Sequence, residues 1–447
     1  MQFAIFRLQQ KIIADFPQRA IHKTVTHNLR MNENEYELRG FYKPHFFSIV
    51  LNGSFDIEFD KLSREDLGTF VHEYTHYLQN ITTIFGLKNS LLFFRYLFEV
   101  KKYINDSKEL TVPFKEIPFS VGLSKGKAIF GRYYGTKKSF SPEYDRIKFY
   151  TKEITDNDST YKMVHFDLVK EEKIIETIEL GNLCVKEGMA RLCQLIYDDQ
   201  VEHPTFPYKS VELLCEILNP ELLKDKRKLI ALCILALNSQ NCAMTLYELL
   251  IEVRTEPKLN GLEIYQKYIV ERWVVHKQKR ITINEFLLST IDKFKGILSH
   301  SIYAKLHHFE KMFENIINSI KTNTSPLLEL LYSEIDNHEK LKNLISFYGI
   351  PHIRTKNGYE YYPLGSKEGN EDNPALEYLD LLGQSIVLER VLNFNKDTIC
   401  SHFVQCQKAK EDITDEHCFG TQWLRENPCA FKAVSDNWKL NEKINSG

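Results

Sequence analysis

The first 183 residues contain no cysteine, and the nine that follow are an odd number, which does not fit a secreted disulfide framework. Long hydrophobic runs are missing too. The longest clean apolar stretch, Leu229 to Leu237, falls well short of the about 20 residues a membrane-spanning helix needs. Neither sign of charge dominates: 58 basic and 60 acidic side chains leave a formal charge of -2, which removes any overall electrostatic reason for a nucleic-acid or membrane-surface partner. No Walker or dinucleotide glycine-rich loop occurs, so a nucleotide cofactor is not indicated. The opening "MQFAIFRLQQKIIADF" breaks its apolar residues with Arg7 and Lys11 and lacks the h-region and small-residue cleavage site of a secretory signal. Together these absences lead us to expect a soluble cytoplasmic protein.

What is present is enough for a large core: 447 residues, 43% of them hydrophobic. The patterning divides into four stretches. Residues 1–60 read as partly β, with an Asn52-Gly53 turn signal and Phe55, Ile57 and Phe59 alternating with Asp56 and Glu58, which predicts a hairpin. Residues 61–200 open on a helix capped at Ser63, whose apolar stripe runs from Leu67 to Ile81. A second helix is expected after a break at Gly86, strands around the polar turn "KEEK", and a further helix over 182–197. Residues 201–395 are mainly helical, with an Asn357-Gly358 hairpin signal, and residues 396–447 form a cysteine-bearing tail. The fold class expected is α+β, predominantly helical, with a small N-terminal β region.

Within the first helix lies "FVHEYTHYLQN". Positions four apart on an α-helix share a face, so His72 and His76 can put imidazole nitrogens on one metal ion. Glu73 sits one position round, where it can reach a nucleophilic water without being a ligand, as a general base must. A metzincin would need Gly at 79 and His at 82, and this chain has Gln79 and Thr82; a deformylase-type site would need an upstream cysteine, and there is none. A downstream carboxylate remains. Glu187 in "NLCVKEGMARLCQLIYD" and Glu99 in "FFRYLFEVKKY" are the candidates; only Glu187 is accompanied by small residues, Gly188 and Ala190, that would let two helices approach.

The Glu-Gly-x-Ala pattern at Glu187 resembles the third-ligand helix of gluzincin metallopeptidases, particularly the aminopeptidase N-like enzymes. The likeness covers residues 70–80 and 183–192. It implies a zincin-like catalytic core over residues 61–200, one catalytic Zn2+ held by His72, His76 and Glu187, and Glu73 as the base. It further implies that residues 106–180 are an insertion. Arg191, where thermolysin-like enzymes carry an Asp, implies a different arrangement around the ligands.

An oxyanion donor is also expected, with Tyr208, His352, Tyr359, Tyr361 and Tyr362 as candidates. In the tail, Cys400, Cys406, Cys418 and Cys429, with His402 and His417 nearby, would suit a second, structural zinc, or equally a core of small hydrophobes. The other cysteines fall within apolar helical patterns and read as core, while His300, His307 and His308 read as a solvated face of one helix. The function expected is zinc-dependent hydrolysis of a peptide bond in a protein or peptide, through a narrow site or under a regulating protein partner. The alternatives are a non-catalytic zinc-containing interaction protein whose residues 200–395 bind a partner, and a hydrolase of a non-peptide amide.

Overall fold

The structure is a computed structural model. It describes residues 39–444 except 57, 115–116, 157–158, 277–278, 303–305, 356–358, 362–373, 394–398, 401, 404–405, 408–417, 419–421 and 423–428. The chain is α+β and predominantly helical. Its elements run β1 (Gly40–Lys43), β2 (Ser48–Leu51), α1 (Arg64–Thr82), α2 (Ile84–Asp106), α3 (Val121–Arg132), β3 (Arg146–Asp156), β4 (Ser159–Lys170), β5 (Lys173–Leu180) and α4 (Asn182–Tyr197). The helical half follows with α5 (Ser210–Leu218), α6 (Lys226–Leu237), α7 (Cys242–Glu252), α8 (Gly261–Glu271), the hairpin β6 (Trp273–His276) and β7 (Lys279–Thr282), and α9 (Ile283–Ser301). It closes with α10 (His307–Lys321), α11 (Pro326–Tyr332), α12 (Asn337–Tyr348), β8 (His352–Thr355), β9 (Glu360–Tyr361), α13 (Pro374–Leu392) and α14 (Ala430–Asn437). No helix among the described residues is long and apolar enough to cross a membrane.

Helix α1 begins as its cap requires: the Ser63 hydroxyl accepts the Asp66 N–H at 3.0 Å, and Glu65 and Asp66 place negative charge at the N-terminus. It ends at Thr83, one extended residue that also starts α2. The Thr83 hydroxyl donates to Gln79 O and accepts from Gly86 N. The break therefore falls at Thr83, and Gly86 lies inside α2. A Cβ there would meet Gln79 O at 2.3 Å and Asn80 Cα at 2.4 Å, so glycine is what lets the first turn of α2 fold against the last turn of α1. Asn80 completes this corner, its amide donating to Tyr42 Oη and Pro44 O and accepting from Ser90.

The N-terminal hairpin is displaced from its expected place. Strands β1 and β2 pair antiparallel before Asn52, and after Leu51 the chain leaves the sheet. Phe55 and Phe59 pack on Phe70 of α1, at ring separations of 4.9 and 5.7 Å, and this burial outweighs a second strand pairing. Strand β2 instead pairs in parallel with β8, giving the order β1-β2-β8-β9, and β8 and β9 flank the predicted Asn357-Gly358 turn, whose residues lie outside those described. Three tyrosines seal the back of α1 to the chain entering β8. Tyr77, Tyr74 and Tyr378 donate to the successive carbonyls of Tyr348, Gly349 and Ile350 at 2.8, 2.9 and 3.2 Å.

Residues between α2 and α4 fold as α3 and an antiparallel meander β3-β4-β5. The "KEEK" turn joins β4 to β5 with Glu171 and Glu172 both at positive φ, 50° and 61°, as a tight two-residue hairpin requires. Strand β5 runs straight into α4 through Gly181, whose missing Cβ would collide with Tyr134. That close approach lets the carbonyls of Tyr133 and Tyr134 accept the N–H groups of Asn182 and Leu183, so main chain caps α4. His300 and His307 sit on two different helices, and His308 packs against Tyr378, which corrects the expectation of one solvated histidine face.

Candidate metal centre

Helix α1 packs against α4, and the facing surfaces carry the polar residues of the motif. His72, Glu73, His76 and Gln79 are all buried. Gln79 organises them. Its amide nitrogen donates to Lys186 O at 2.9 Å, which a carboxamide oxygen could not do, so its oxygen is the atom 2.9 Å from His76 Nδ1. His76 therefore carries its proton on Nδ1 and turns a bare Nε2 lone pair inward.

That lone pair faces Glu187 Oε2 at 3.1 Å, and His72 Nε2 lies 3.4 Å from the same oxygen. A proton or a metal ion between these atoms would make such a contact favourable. The three donor atoms lie within 4.8 Å of one another, and this is the sole such group of three or more His, Cys, Asp or Glu among the described residues. Bonds of about 2.0–2.1 Å at tetrahedral angles place neighbouring donors about 3.3 Å apart, which the two histidine–Glu187 separations of 3.4 and 3.1 Å match, so this donor set could hold Zn2+.

Charge in the cluster is unevenly held. Burial lowers His72, but its contact with Glu187 and the charges of Glu73 and Glu187 outweigh that and raise it above the usual histidine range. His76 is pulled down to about 4 by burial, against the opposing charge of Glu187. Burial alone would raise Glu187, yet His76, Lys186 and the contacts with both histidines hold it well below the usual range. Glu73 is pushed up to about 7, chiefly by burial and in part by Glu187, with His72 opposing.

The other predicted residues divide clearly. Glu99 is on α2, where its carboxylate receives Ser120 N and Oγ at the start of α3, outside the cluster. Gly188 does permit a close helix approach, but to α5: its Cβ would meet Val211 Cγ2 at 2.4 Å. Arg191 pairs with Glu212 of α5. Tyr208 is the one described oxyanion candidate beside the centre, its ring 5.9 Å from that of His72. His352 sits against Ser48 and Glu360, Tyr361 donates to Phe55 O, Tyr359 is exposed, and Tyr362 lies outside the described residues.

In the tail, Cys400 N–H donates to Cys418 O, and Cys429 caps α14 by accepting Lys432 N–H. The four sulfurs do not reach the mutual spacing that the His72, His76 and Glu187 atoms do. His402 contacts Glu360 at 3.2 Å, and His417 lies outside the described residues.

Sequence reasoning overlooked four neighbours of the centre. Gln79 joins the two helices through His76 and Lys186. His203 stacks on His72, Lys186 approaches Glu187 Oε1 at 3.4 Å, and Tyr134 is raised by burial and by the charge of Glu187. Only Lys186 carried a local signal, by adjacency to Glu187. Comparison with protein-family models, with curated proteins and with solved structures returns no match for this chain.

Proposed function

We propose that this chain is a zinc-dependent peptidase with a zincin-like core, hydrolysing a peptide bond in a protein or peptide substrate. The observation that carries the reading is the convergence of His72 Nε2, His76 Nε2 and Glu187 Oε2 from two helices, with a buried Glu73 adjacent to His72. Zn2+ held by these three donors would supply Lewis acidity at the scissile carbonyl and lower the pKa of the attacking water.

The chain's own contribution is proton handling and exclusion of solvent. Glu73, buried next to His72, is placed to accept the proton of the attacking water and return it to the departing amine. Tyr208 is the candidate donor to the developing oxyanion.

The test is Glu73→Gln, which keeps size and hydrogen bonding but cannot take up the proton. Turnover should fall about 10²- to 10⁴-fold while bound zinc and melting temperature stay at wild-type values. Cleaved termini across the proteome are compared in cells expressing either form. Identical sets of termini, with zinc present in both proteins, would leave a structural metal in an interaction protein as the surviving reading.

A further inference from the structure

The two histidines of the centre are oriented by different means. His76 is fixed by the hydrogen bond from Nδ1 to Gln79. His72 Nδ1 is buried and has no hydrogen-bond partner among the described residues, so nothing of that kind sets the rotation of its ring. Aromatic contacts surround it instead. His203 lies nearly parallel to it, 5.4 Å away at 27°, and Tyr208 packs beside both rings, 4.5 Å from His203 at 22° and 5.9 Å from His72. His76 stands edge-on to His72 at 4.8 Å and 90°.

The shelf is itself anchored. His203 Nε2 is 2.8 Å from Gln194 Oε1, and Gln194 is a buried residue of α4, two turns beyond Glu187. The loop carrying His203 is tied at Thr205 to Ser141 and at Phe206 to Phe140 by paired main-chain bonds of 3.0 Å. Helix α4 thus presents Glu187 and also holds the ring against which His72 rests, so the donors of two helices share one reference.

We propose that His203, flanked by Tyr208 and anchored on Gln194, is a positioning residue that orients His72 toward the metal by ring stacking, in place of a hydrogen bond to its outer nitrogen. This rests on the reading that the centre binds zinc. It assigns His203 no role as a ligand and none in the chemistry: the flat face matters and the nitrogens do not, apart from the anchor to Gln194.

The experiment titrates Zn2+ into metal-free full-length protein against a chromophoric chelator, for wild type, His203→Ala and His203→Phe. Co2+ spectra of the same proteins report ligand geometry. His203→Ala should weaken Zn2+ binding about 10- to 100-fold, the usual effect of removing a partner that orients a ligand, and should alter the Co2+ d–d bands. His203→Phe, which keeps the flat face but loses the anchor to Gln194, should bind Zn2+ closer to wild type than to alanine and keep the wild-type bands. If the alanine protein does not fold, His203→Leu fills the volume without a flat face and should bind as weakly as predicted for alanine. Unchanged affinity in His203→Ala, or a His203→Phe protein as weak as alanine, overturns the stacking assignment. A wild-type protein that binds no Zn2+ overturns the metal reading itself, which is a separate result.

Discussion

Gln79→Leu is the most informative single change, because one side chain spans both helices of the centre. Leucine matches the buried volume but removes the acceptor for His76 Nδ1–H and the donor to Lys186 O, each a 2.9 Å bond. Gln79 is only 2% exposed, so water cannot replace either partner without a rearrangement. Each orphaned buried group costs about 1–3 kcal/mol, so metal-free protein should lose roughly 2–6 kcal/mol of stability. The freed imidazole can also adopt the other tautomer or rotate, which should weaken zinc about 10- to 100-fold, or about 1.4–2.7 kcal/mol. Gln79→Glu separates the two effects. A carboxylate still accepts from Nδ1 but opposes the Lys186 carbonyl, so stability should fall while most of the zinc affinity is kept. Denaturant melts of metal-free protein, paired with chelator-competition titrations, measure both quantities. Wild-type zinc affinity in Gln79→Leu would refute the claim that this amide sets the His76 tautomer.

Glu187→Ala should abolish stoichiometric zinc, whereas Glu99→Ala should leave it intact and at most loosen the start of α3; metal analysis of the two purified proteins decides, and the reverse ranking ends the Glu187 assignment. Tyr77→Phe strips the hydroxyl from the buried carbonyl of Tyr348 and should destabilise the fold by about 1–3 kcal/mol, read as a lower urea midpoint with unchanged slope. Cys418→Ser tests the tail: a fall in bound zinc from two equivalents to one would establish a second site, and one equivalent in both proteins would dispose of it.

The elements that sequence disclosed were those whose cause is local. Ser63, the stripe from Leu67 to Ile81 and the His72–His76 spacing act within one helix, and the helix of residues 182–197 begins and ends where its pattern does. Misplacements came where a distant contact decided between local options. Asn52-Gly53 looks like a hairpin turn, but Phe55 and Phe59 are claimed by Phe70; Gly86 looks like a breaker, but the Gln79 and Asn80 backbone needs its bare Cα. The parallel pairing of β2 with β8 has no local signature at all. At the centre, the likeness that singled out Glu187 over Glu99 drew on two short stretches. Gln79 and His203 acquire their roles only once α4 and the loop after it are folded against α1. Gln79 was in plain view as the residue that excluded a metzincin, yet its partner, the carbonyl of Lys186, is 107 residues away.

The tyrosine seal behind α1 has a consequence for the order in which the molecule is made. Tyr77 and the carbonyl it binds are 271 residues apart. At synthesis rates of about 5–20 residues per second, the aromatic back of α1 waits roughly 15–55 s for its cover, long after His72, His76 and Glu187 have left the ribosome. For the later part of that interval helix α1 has its polar partners on α4 but lacks the surface that fixes its depth and tilt, and Tyr74, Tyr77 and Phe47 stay open to unwanted association. Nascent chains released before residue 348 should therefore be the form that chaperones retain, and a metal captured early would sit in a centre whose far wall has yet to arrive.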